Sequence, residues 1–542
     1  MICRLTRGRF APALHVLVLI LALLPAWAGT PPLSPALGVV VLRLTTDTRA
    51  LGPNLLERGF TSLRCRDEGA KADPNPDFAQ LFPDPRFQFG TQLFIGAFAP
   101  GRYELVSAQL DRDRNPEHHS SWPLPGFGSF EVQAGRITHL GLISLISGQE
   151  GPIPAAFWAA PEELPAIRAA YPQLEGWGKG GEPLGWDHPV QSGPANAWAR
   201  SEFALVNRPT WFPDGTLLGG ARLGRVVQRD RSGTWSLLDT GAQWEVVQVL
   251  RDAEGALLAL LETGELRRTL DGGRTWSRVP APVPGVIAAA LDLQPGVGGW
   301  VGHFFINGRL LTFTRANGEV GPWVEIARSK APTWEDYSKD RIIPPLHRFH
   351  ARIRTFAGAG GFVFAFPHGA VYRFDQVRRA WTISQLGNPL LDLGPWVGTT
   401  EVRVTQEGVF HGEVARGEFL GAAETAKRTL TSTAPFPRLR GLLALAVAGS
   451  SETLVALKED LPVVGMIRPA FSVDGGLSWE TAGPGVAGAP NWLCASPDGS
   501  VVLYQDGRGE IFASHDRGKR WNLELPVVAE KQARYQAWRN PR

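Results

Sequence analysis

Short apolar segments separated by glycine-rich turns fill residues 201–526. In 252–268 and 497–514, a turn containing Asp and Gly precedes an apolar run. A second glycine then separates this run from another apolar run. Short runs with turn residues at regular spacing are typical of antiparallel strands. The pattern predicts about four strands in each unit and an all-β fold for this part of the chain.

An eight-residue motif recurs at the end of these units, with the form Ser/Thr-x-Asp-x-Gly-x-Thr/Ser-Trp. Residues 269–276 and 472–479 match it fully, 514–521 departs at Arg520, and 228–235 is worn. The aspartate is suited to accept hydrogen bonds from its own turn, the glycine supplies a positive φ, and the tryptophan buries a large ring. We therefore expect a structural hairpin staple. Its marked positions are Asp230, Trp235, Asp271, Gly273, Trp276, Asp474, Gly476, Trp479, Asp516, Gly518 and Trp521.

This motif resembles the Asp box of sialidases and other bacterial neuraminidase repeat proteins. In repeat style the chain is also similar to the sortilin-like and photosystem II assembly-factor-like propellers. The resemblance implies a β-propeller with structural aspartates. Marker tryptophans follow one another at steps of 41 to 58 residues, except for a step of 98 from Trp381 to Trp479 that holds two repeats. We expect seven blades over 201–526, with six and eight as alternatives.

The N-terminal third predicts a separate domain. Residues 37–149 contain strand-like runs and the segment Pro100-Gly-Arg-Tyr-Glu-Leu105, and their length suits a small β-sandwich. Within them, 65–88 is rich in Asp and Pro and is interpreted as a long loop. Residues 150–200 are interpreted as a connector with one short helix, and 527–542 as a C-terminal tail.

The first residues have the composition of a signal peptide. Three arginines precede an apolar stretch at 14–24, and Ala26-Trp27-Ala28 is a small-residue cleavage site before Gly29. We interpret 1–28 as a signal peptide and expect a periplasmic or secreted protein. No later apolar run reaches the roughly 20 residues of a membrane helix, so we do not expect an integral membrane protein after cleavage.

Charge changes the picture once the signal is removed. The segment 1–28 holds three of the 55 basic residues and no acid, which leaves 52 basic against 52 acidic residues. A neutral chain without a basic stripe is not expected to bind nucleic acid. Cys65 and Cys494 are either two buried thiols or an inter-domain bridge. No phosphate loop or dinucleotide fingerprint occurs, so no cofactor is expected. The pairs His118-His119 and His347–His350 lack a third ligand for zinc, so no metal is expected.

The best candidate binding surface is the long connection 328–349. It joins two blades on the face opposite the Asp boxes, and the loop 459–468 is expected on that same face. Binding residues collect on loops held by a rigid scaffold, and an ordinary solvated insertion is the alternative. The proposed ligand-binding residues are Trp334, Asp336, Tyr337, Arg341, His347 and Arg348.

Two functions fit these residues. The first is a non-catalytic, monomeric binding or scaffold protein whose partner is a protein or a glycan. The alternative is a sialidase-like or other glycoside hydrolase. Sialidases use an Arg-Ile-Pro segment and a Tyr–Glu pair, whereas here Arg341-Ile-Ile-Pro344 has an extra residue and no Glu is paired by context with the few tyrosines. We therefore assign no catalytic residue and favour the first function.

Overall fold

The computed structural model describes residues 34–527 and residue 533, with gaps. The longer gaps are 47–59, 71–77, 112–118, 158–162, 178–183, 188–192, 283–287, 317–322, 329–353, 394–399, 414–441 and 460–465, and shorter breaks span one to four residues. The predicted signal peptide and most of the predicted C-terminal tail lie outside the described residues. The described part of the chain is an all-β protein with two α-helices.

The N-terminal part forms a sheet of nine strands. They are β1 (Gly38–Thr46), β2 (Phe60–Asp67), β3 (Phe78–Gln88), β4 (Thr91–Phe98), β5 (Gly101–Asp111), β6 (His119–Pro123), β7 (Ser129–Val132), β8 (Ile137–Gly148) and β9 (Gly151–Phe157). Their order is β6-β5-β2-β3-β4-β1-β8-β9, with β7 paired to β5. The first strand runs parallel to β8 and antiparallel to β4.

One core lies between the two halves of this sheet. Strands from both halves contribute buried side chains, among them Phe94 of β4 and Phe130 of β7. The two halves stay hydrogen-bonded through β3, whose first residues pair with β2 and whose later residues pair with β4. Tyr103 fixes the turn into β5, because its hydroxyl donates to the Ala99 carbonyl at 3.0 Å.

The interpretation of 65–88 as a loop was wrong. Two strands, β2 and β3, occupy most of it. Prolines in the segment suggested a loop, but Pro83 lies where the register between β3 and β4 shifts, and an irregularity of this kind accommodates a residue without an amide hydrogen.

The sheet also continues past the expected boundary at 149. The last strand, β9, pairs with β8 through Gly148 and Gly151 and lies at the edge of the sheet. Its prolines at 152 and 154 made it resemble a connector, and an edge strand tolerates them.

Two helices follow instead of one. They are α1 (Glu163–Ala170) and α2 (Gly193–Arg200). The predicted helical spacing corresponds to α1, where Ile167 is buried, and Tyr171 just beyond it donates a hydrogen bond to the Asp84 carboxylate of β3. The helix α1 is therefore fixed to the N-terminal sheet.

Seven antiparallel sheets follow in chain order within the described residues. The first sheet holds β10 (Thr210–Trp211), β11 (Leu217–Gly220), β12 (Arg225–Arg229) and β13 (Trp235–Asp239). The second holds β14 (Val246–Arg251), β15 (Leu257–Leu261), β16 (Leu266–Thr269) and β17 (Ser277–Val279). The third holds β18 (Ala288–Gly296), β19 (Gly299–Ile306), β20 (Arg309–Ala316) and β21 (Val324–Arg328).

The remaining sheets also pair strands in chain order, although three strands are described in the fifth sheet and five in the sixth, where β33 pairs with β31. The fourth holds β22 (Arg354–Gly358), β23 (Gly361–Ala365), β24 (Ala370–Asp375) and β25 (Ala380–Gln385). The fifth holds β26 (Leu390–Leu393), β27 (Thr400–Thr405) and β28 (Gly408–Glu413). The sixth holds β29 (Leu442–Val447), β30 (Leu454–Glu459), β31 (Met466–Ser472), β32 (Glu480–Thr481) and β33 (Val486–Ala487). The seventh holds β34 (Trp492–Ala495), β35 (Val502–Gln505), β36 (Ile511–Ser514) and β37 (Asn522–Leu525).

Apolar side chains hold neighbouring sheets together. One buried cluster joins the first and second sheets, another the second and third, and another the sixth and seventh. A further cluster joins the first sheet to the seventh, with Leu217 and Val227 packed in the same core as Trp492 and Leu503. The two ends of the series are therefore in contact.

In the described part of the chain, neither α1 nor α2 combines the length and the apolar character of a membrane-crossing helix.

Candidate functional site

The four segments that resemble Asp boxes lie between the third and fourth strands of their sheets. In the second sheet, the Asp271 carboxylate accepts from the amides of Arg274 and Thr275 at 3.0 and 2.9 Å. It also accepts from the Thr275 hydroxyl at 2.6 Å and the Thr269 hydroxyl at 2.7 Å. The hairpin itself thus occupies both oxygens of this carboxylate.

The other copies repeat this geometry. The Asp474 carboxylate accepts from the Ser478 amide at 2.9 Å, and the Asp516 carboxylate accepts from the Arg520 amide at 2.8 Å. Trp276 and Trp521 each donate their indole N–H to the carbonyl of the box glycine, at 3.1 and 2.9 Å. These contacts close the hairpins, and a purely structural role for the boxes stays a prediction.

Hydrogen bonding keeps these aspartates ionised. The bonds from Thr275, and after them the bond from the Thr269 hydroxyl, hold the pKa of Asp271 well below its usual range. Burial opposes the same effect at Asp474, but the bonds from Ser478 and Ser472 still lower its pKa to about 2. A carboxylate stabilised in its charged form by its own turn is a poor general acid.

The opposite face carries the turns between second and third strands and the connections between sheets, because antiparallel strands alternate in direction. The segment 329–353 joins β21, the outermost strand of the third sheet, to β22, the first strand of the fourth. This is the type of connection that the sequence predicts. The six proposed ligand-binding residues lie outside the described residues: Trp334, Asp336, Tyr337, Arg341, His347 and Arg348.

The N-terminal sheet contacts this same face at the first two sheets. Arg43 of β1 lies with its guanidinium carbon 3.9 Å from the ring centre of Trp244, in the connection between those sheets. Its Nη2 also donates to the Gln243 side chain at 3.4 Å. Thr91 of β4 reaches Glu262, in the turn after β15, with its hydroxyl donating to Oε1 at 2.5 Å. We call this contact the junction, defined by Arg43, Thr91, Trp244, Glu245 and Glu262.

Two glutamates of the junction are buried side by side. The Glu245 amide donates to Glu262 Oε1 at 3.2 Å, and the Glu262 amide donates to the Glu245 carbonyl at 2.9 Å. Their exposed fractions are 5% and 2%. Burial, and after it the charge of the neighbouring carboxyl, raises the pKa of Glu245 to about 8. Burial also raises the pKa of Glu262, against the hydrogen bonds from Thr91.

A turn directly beside the junction is strained. Leu223, between β11 and β12, has a φ of 53° and is almost fully buried. A left-handed conformation costs a residue with a Cβ roughly 1–2 kcal/mol. The next residue, Gly224, donates its amide hydrogen to the Trp244 carbonyl at 2.8 Å, which connects this turn to the junction. Strain of this kind is retained where packing fixes the backbone.

The glutamate pair does not have the form of an open glycosidase site. Hydrolases of that class place two carboxyl groups on either side of a sugar bond, about 5–9 Å apart with room for substrate between them. Here both carboxyl groups are buried, and that of Glu262 is hydrogen-bonded by Thr91 of the N-terminal sheet. The arrangement is suited to hold two parts of the chain together.

Sequence reasoning missed the junction. Thr91 and Glu262 are 171 residues apart, and no motif connects them. One weak signal existed: Glu262 follows the apolar run Leu257–Leu261 without a turn residue before it. A carboxylate at the end of a buried strand requires partners, although the sequence does not say which.

The cysteines and candidate metal ligands are also placed. Cys65 and Cys494 are both free and buried, in the core of the N-terminal sheet and in the cluster between the first and seventh sheets. Of the two interpretations left open, the buried thiols are correct. Among the described residues, no group of three or more His, Cys, Asp or Glu is arranged to hold a metal ion.

Comparisons with known proteins find likeness in structure only. No protein-family model matches the sequence. No curated protein matches it. Among solved structures, the chain is similar to YCF48 from Cyanidioschyzon merolae, with 14% identity, a TM-score of 0.41, and coverage of 58% of this chain and 97% of that one. It is also similar to the beta-propeller domain of Cps50 (Swd1) from Myceliophteria thermophila, with 13% identity, a TM-score of 0.39, and coverage of 58% and 97%. BamB from Moraxella catarrhalis has 14% identity and a TM-score of 0.34, with coverage of 63% and 89%.

Proposed function

We propose that this protein is an exported, non-catalytic binding protein whose residues 201–526 form a seven-bladed β-propeller behind a small β-sandwich domain. The series of seven sheets supports the propeller, because its first and last members pack together. Four Asp-box copies, typical of bacterial neuraminidase repeats, support the same architecture. The composition of 1–28 supports export to the periplasm or beyond.

The binding surface in this proposal is the face opposite the Asp boxes. One observation carries it: the connection and the turn that meet Arg43 and Thr91 belong to this face, so another part of the chain already binds there. That contact engages the first two sheets. The segment 329–353 belongs to the connection between the third and fourth sheets, which come next in order.

The proposed partner is a protein or a glycan, bound by a monomer. Aromatic and arginine side chains dominate binding energy at interfaces, and the segment 329–353 is rich in both. Trp334 and Tyr337 supply ring faces for a sugar or an apolar side chain. Arg341 and Arg348 supply paired N–H donors for carboxylates.

The test is a double change, Trp334→Ala with Arg341→Ala, measured against a glycan array and by affinity capture from an extract of the source organism. We expect binding of the ligand found with the unchanged protein to fall at least tenfold, with the melting temperature unchanged. The matched control is Val377→Ala with Arg378→Ala, in the exposed hairpin on the Asp-box side of the fourth sheet. This control keeps full binding.

Two outcomes contradict the proposal. Equal binding by the Trp334/Arg341 variant and the control places the ligand elsewhere. Hydrolysis of a fluorogenic glycoside by the unchanged protein, at a rate proportional to its concentration, supports the glycoside hydrolase alternative instead.

A further inference from the structure

The junction buries more ionisable groups than a simple packing contact requires. Arg43 and Glu262 are 1% and 2% exposed, and Glu245 is 5% exposed. Glu262 is well bonded, since Oε1 accepts from the Thr91 hydroxyl and the Glu245 amide, and Oε2 accepts from the Thr91 amide at 3.2 Å. Glu245 differs: its Oε2 is buried without a hydrogen-bond partner. A buried, unbonded carboxyl oxygen is tolerated far better when the group is protonated.

The charged groups around the two carboxyls come from several elements. Burial raises the pKa of both glutamates. The charge of Arg43 in β1 opposes this at Glu262, and the charge of Arg222, in the turn after β11, opposes it at Glu245. His139 of β8 lies near Arg43, and burial, followed by the charge of Arg43, lowers its pKa to about 3. Glu265 follows Glu262 in the same turn but forms ion pairs with two other arginines, Arg267 and Arg278. Glu245 Oε2 thus lacks the hydrogen bonds that stabilise the ionised form of Glu262.

The contact reaches the pair through Glu262, whose Oε1 accepts from the Thr91 hydroxyl and from the Glu245 amide. Arg43, Thr91 and His139 belong to the N-terminal sheet, whereas Glu245 and Glu262 belong to the first two sheets of the series. We expect separation of the two parts to remove Thr91 from Glu262 and to hydrate the neighbouring Glu245, which returns the pKa of Glu245 toward that of an ordinary carboxyl, near 4.3. The docked state thus binds a proton that the separated state releases.

We propose that the junction is a pH-dependent clamp, in which the N-terminal sheet stays docked while Glu245 is protonated and is released when Glu245 ionises. Release uncovers the connection 240–245 and the turn 262–265. This inference does not depend on the proposed ligand, and its test requires none.

Proton linkage determines the direction in which pH changes the docking equilibrium. A carboxyl group with a raised pKa in the docked state favours docking fully at low pH and loses that contribution as the pH rises to about 8. His139, whose pKa is lowered, opposes this below about pH 6.5, its ordinary value. The release is therefore expected between pH 6.5 and about 8, with the docking constant falling about tenfold per pH unit.

Hydrogen exchange of the full-length protein, corrected for the intrinsic effect of pH, measures this equilibrium. For peptides covering 240–245 and 262–265, we expect the amide protection factors to fall at least tenfold between pH 6.5 and 8.5. A peptide covering 502–514 in the seventh sheet serves as the internal reference and keeps its protection. Small-angle scattering at the same two pH values is expected to show a larger radius of gyration at pH 8.5.

Glu245→Gln removes the titration while preserving the shape of the side chain. We expect its protection to be the same at both pH values. Glu254→Gln, an exposed carboxylate in the same sheet, keeps the pH response and is the matched control. Thr91→Val, made on the other side of the contact, is expected to give the unprotected pattern already at pH 6.5.

The proposal is overturned if the unchanged protein has equal protection at pH 6.5 and 8.5. It is also overturned if the Glu245→Gln variant retains the pH response. Since the titration of the unchanged protein is informative alone, a folding failure of either junction variant leaves the proposal testable.

Discussion

At the scale of single residues, three of the four Asp boxes open with a hydroxyl that bonds within the turn, as the aspartate does. The Thr269 hydroxyl oxygen accepts from the Gly273 amide at 3.0 Å while its proton is donated to Asp271. The Ser514 hydroxyl makes the same bond to the Gly518 amide at 2.8 Å. The hydroxyl and the carboxylate together satisfy the backbone donors of a turn that has no neighbouring strand to do so.

The worn copy in the first sheet shows how the motif compensates. Gln228 replaces the opening hydroxyl, and the Asp230 carboxylate accepts from the Ser232 hydroxyl at 2.6 Å and the Thr234 amide at 2.9 Å. The hairpin keeps its closing hydrogen bonds with a different donor. Trp235 departs as well, because its indole donates to the Glu524 carboxylate at 2.9 Å instead of to a box glycine.

The first prediction belongs to this scale. Asp474→Ala removes the acceptor for the Ser478 amide and for two hydroxyl groups, and we expect the free energy of unfolding to fall by about 1 kcal/mol. Denaturant unfolding measures the change. Glu480→Ala, an exposed carboxylate in the adjoining strand β32, is the control and is expected to have no effect. Equal losses in the two variants contradict the staple role.

At the scale of elements, the contact between the first and seventh sheets is the most consequential. It consists of a buried apolar cluster and a two-bond ion pair, in which Arg229 Nε and Nη2 donate to Glu524 at 2.6 and 3.1 Å. Each of these two sheets is formed from consecutive strands. Among the described residues, the ends of the series are joined by side-chain packing, by this ion pair and by the hydrogen bond from Trp235 to Glu524, without a shared strand.

The second prediction tests this joint. The Arg229 side chain is 4% exposed, so Arg229→Ala removes the opposite charge from a largely buried Glu524 carboxylate, which keeps the hydrogen bond from the Trp235 indole. We expect a loss of about 3 kcal/mol or more in unfolding free energy, together with earlier proteolysis of the seventh sheet.

The control for this joint is an exposed ion pair. Glu325→Gln disrupts the contact with Arg328 on the outer strand of the third sheet, and we expect a change below about 1 kcal/mol. If Arg229→Ala behaves like Glu325→Gln, the ion pair does not hold the two sheets together.

The third prediction concerns the close approach of the first two sheets. A Cβ added to Gly220 would lie 1.9 Å from the Val246 carbonyl oxygen, so Gly220→Ala forces the backbones apart. We expect it to destabilise by about 3 kcal/mol. Gly272→Ala is the comparison: it meets nothing within 4 Å, and its φ of 72° alone is expected to cost about 1 kcal/mol. Thermal unfolding ranks the two, and the reverse order contradicts the close packing.

At the scale of the whole molecule, the N-terminal sheet contacts the connection between the first two sheets and the turn after β15. The junction meets the turns of the first two sheets, and the connection 329–353 follows at the third and fourth. Under the proposed function, we expect a partner bound by the segment 329–353 to lie beside the N-terminal sheet.

The fourth prediction concerns export of the whole chain. When the full sequence is expressed in a bacterium with a secretory pathway, we expect the protein outside the cytoplasm to begin at Gly29, as read from its intact mass. Ala28→Arg places a large charged residue at the cleavage site and is expected to leave the uncleaved form. An exported protein that retains its first 28 residues contradicts the signal peptide.

The sequence alone determined what depends on neighbouring residues. The hydrogen bonds of an Asp box span at most four residues, as from Asp271 to Thr275. The local sequence is therefore enough to locate the hairpin. The short strands of 201–526 were also predicted from neighbouring residues, because apolar runs and the turn residues between them are local features. The strands β3 and β9 were missed because their prolines are compatible with a strand only at a register shift or at a sheet edge, and neither is visible locally.

Only the tertiary structure decided which distant residues meet. Arg229 and Glu524 are 295 residues apart, and Thr91 and Glu262 are 171 residues apart. A buried charge is stable only beside a partner, and the packing of whole sheets determines which residue becomes that partner. For this reason Glu245 and Glu262 resemble ordinary surface glutamates in the sequence, yet in the fold they form the buried acidic pair that meets the N-terminal sheet.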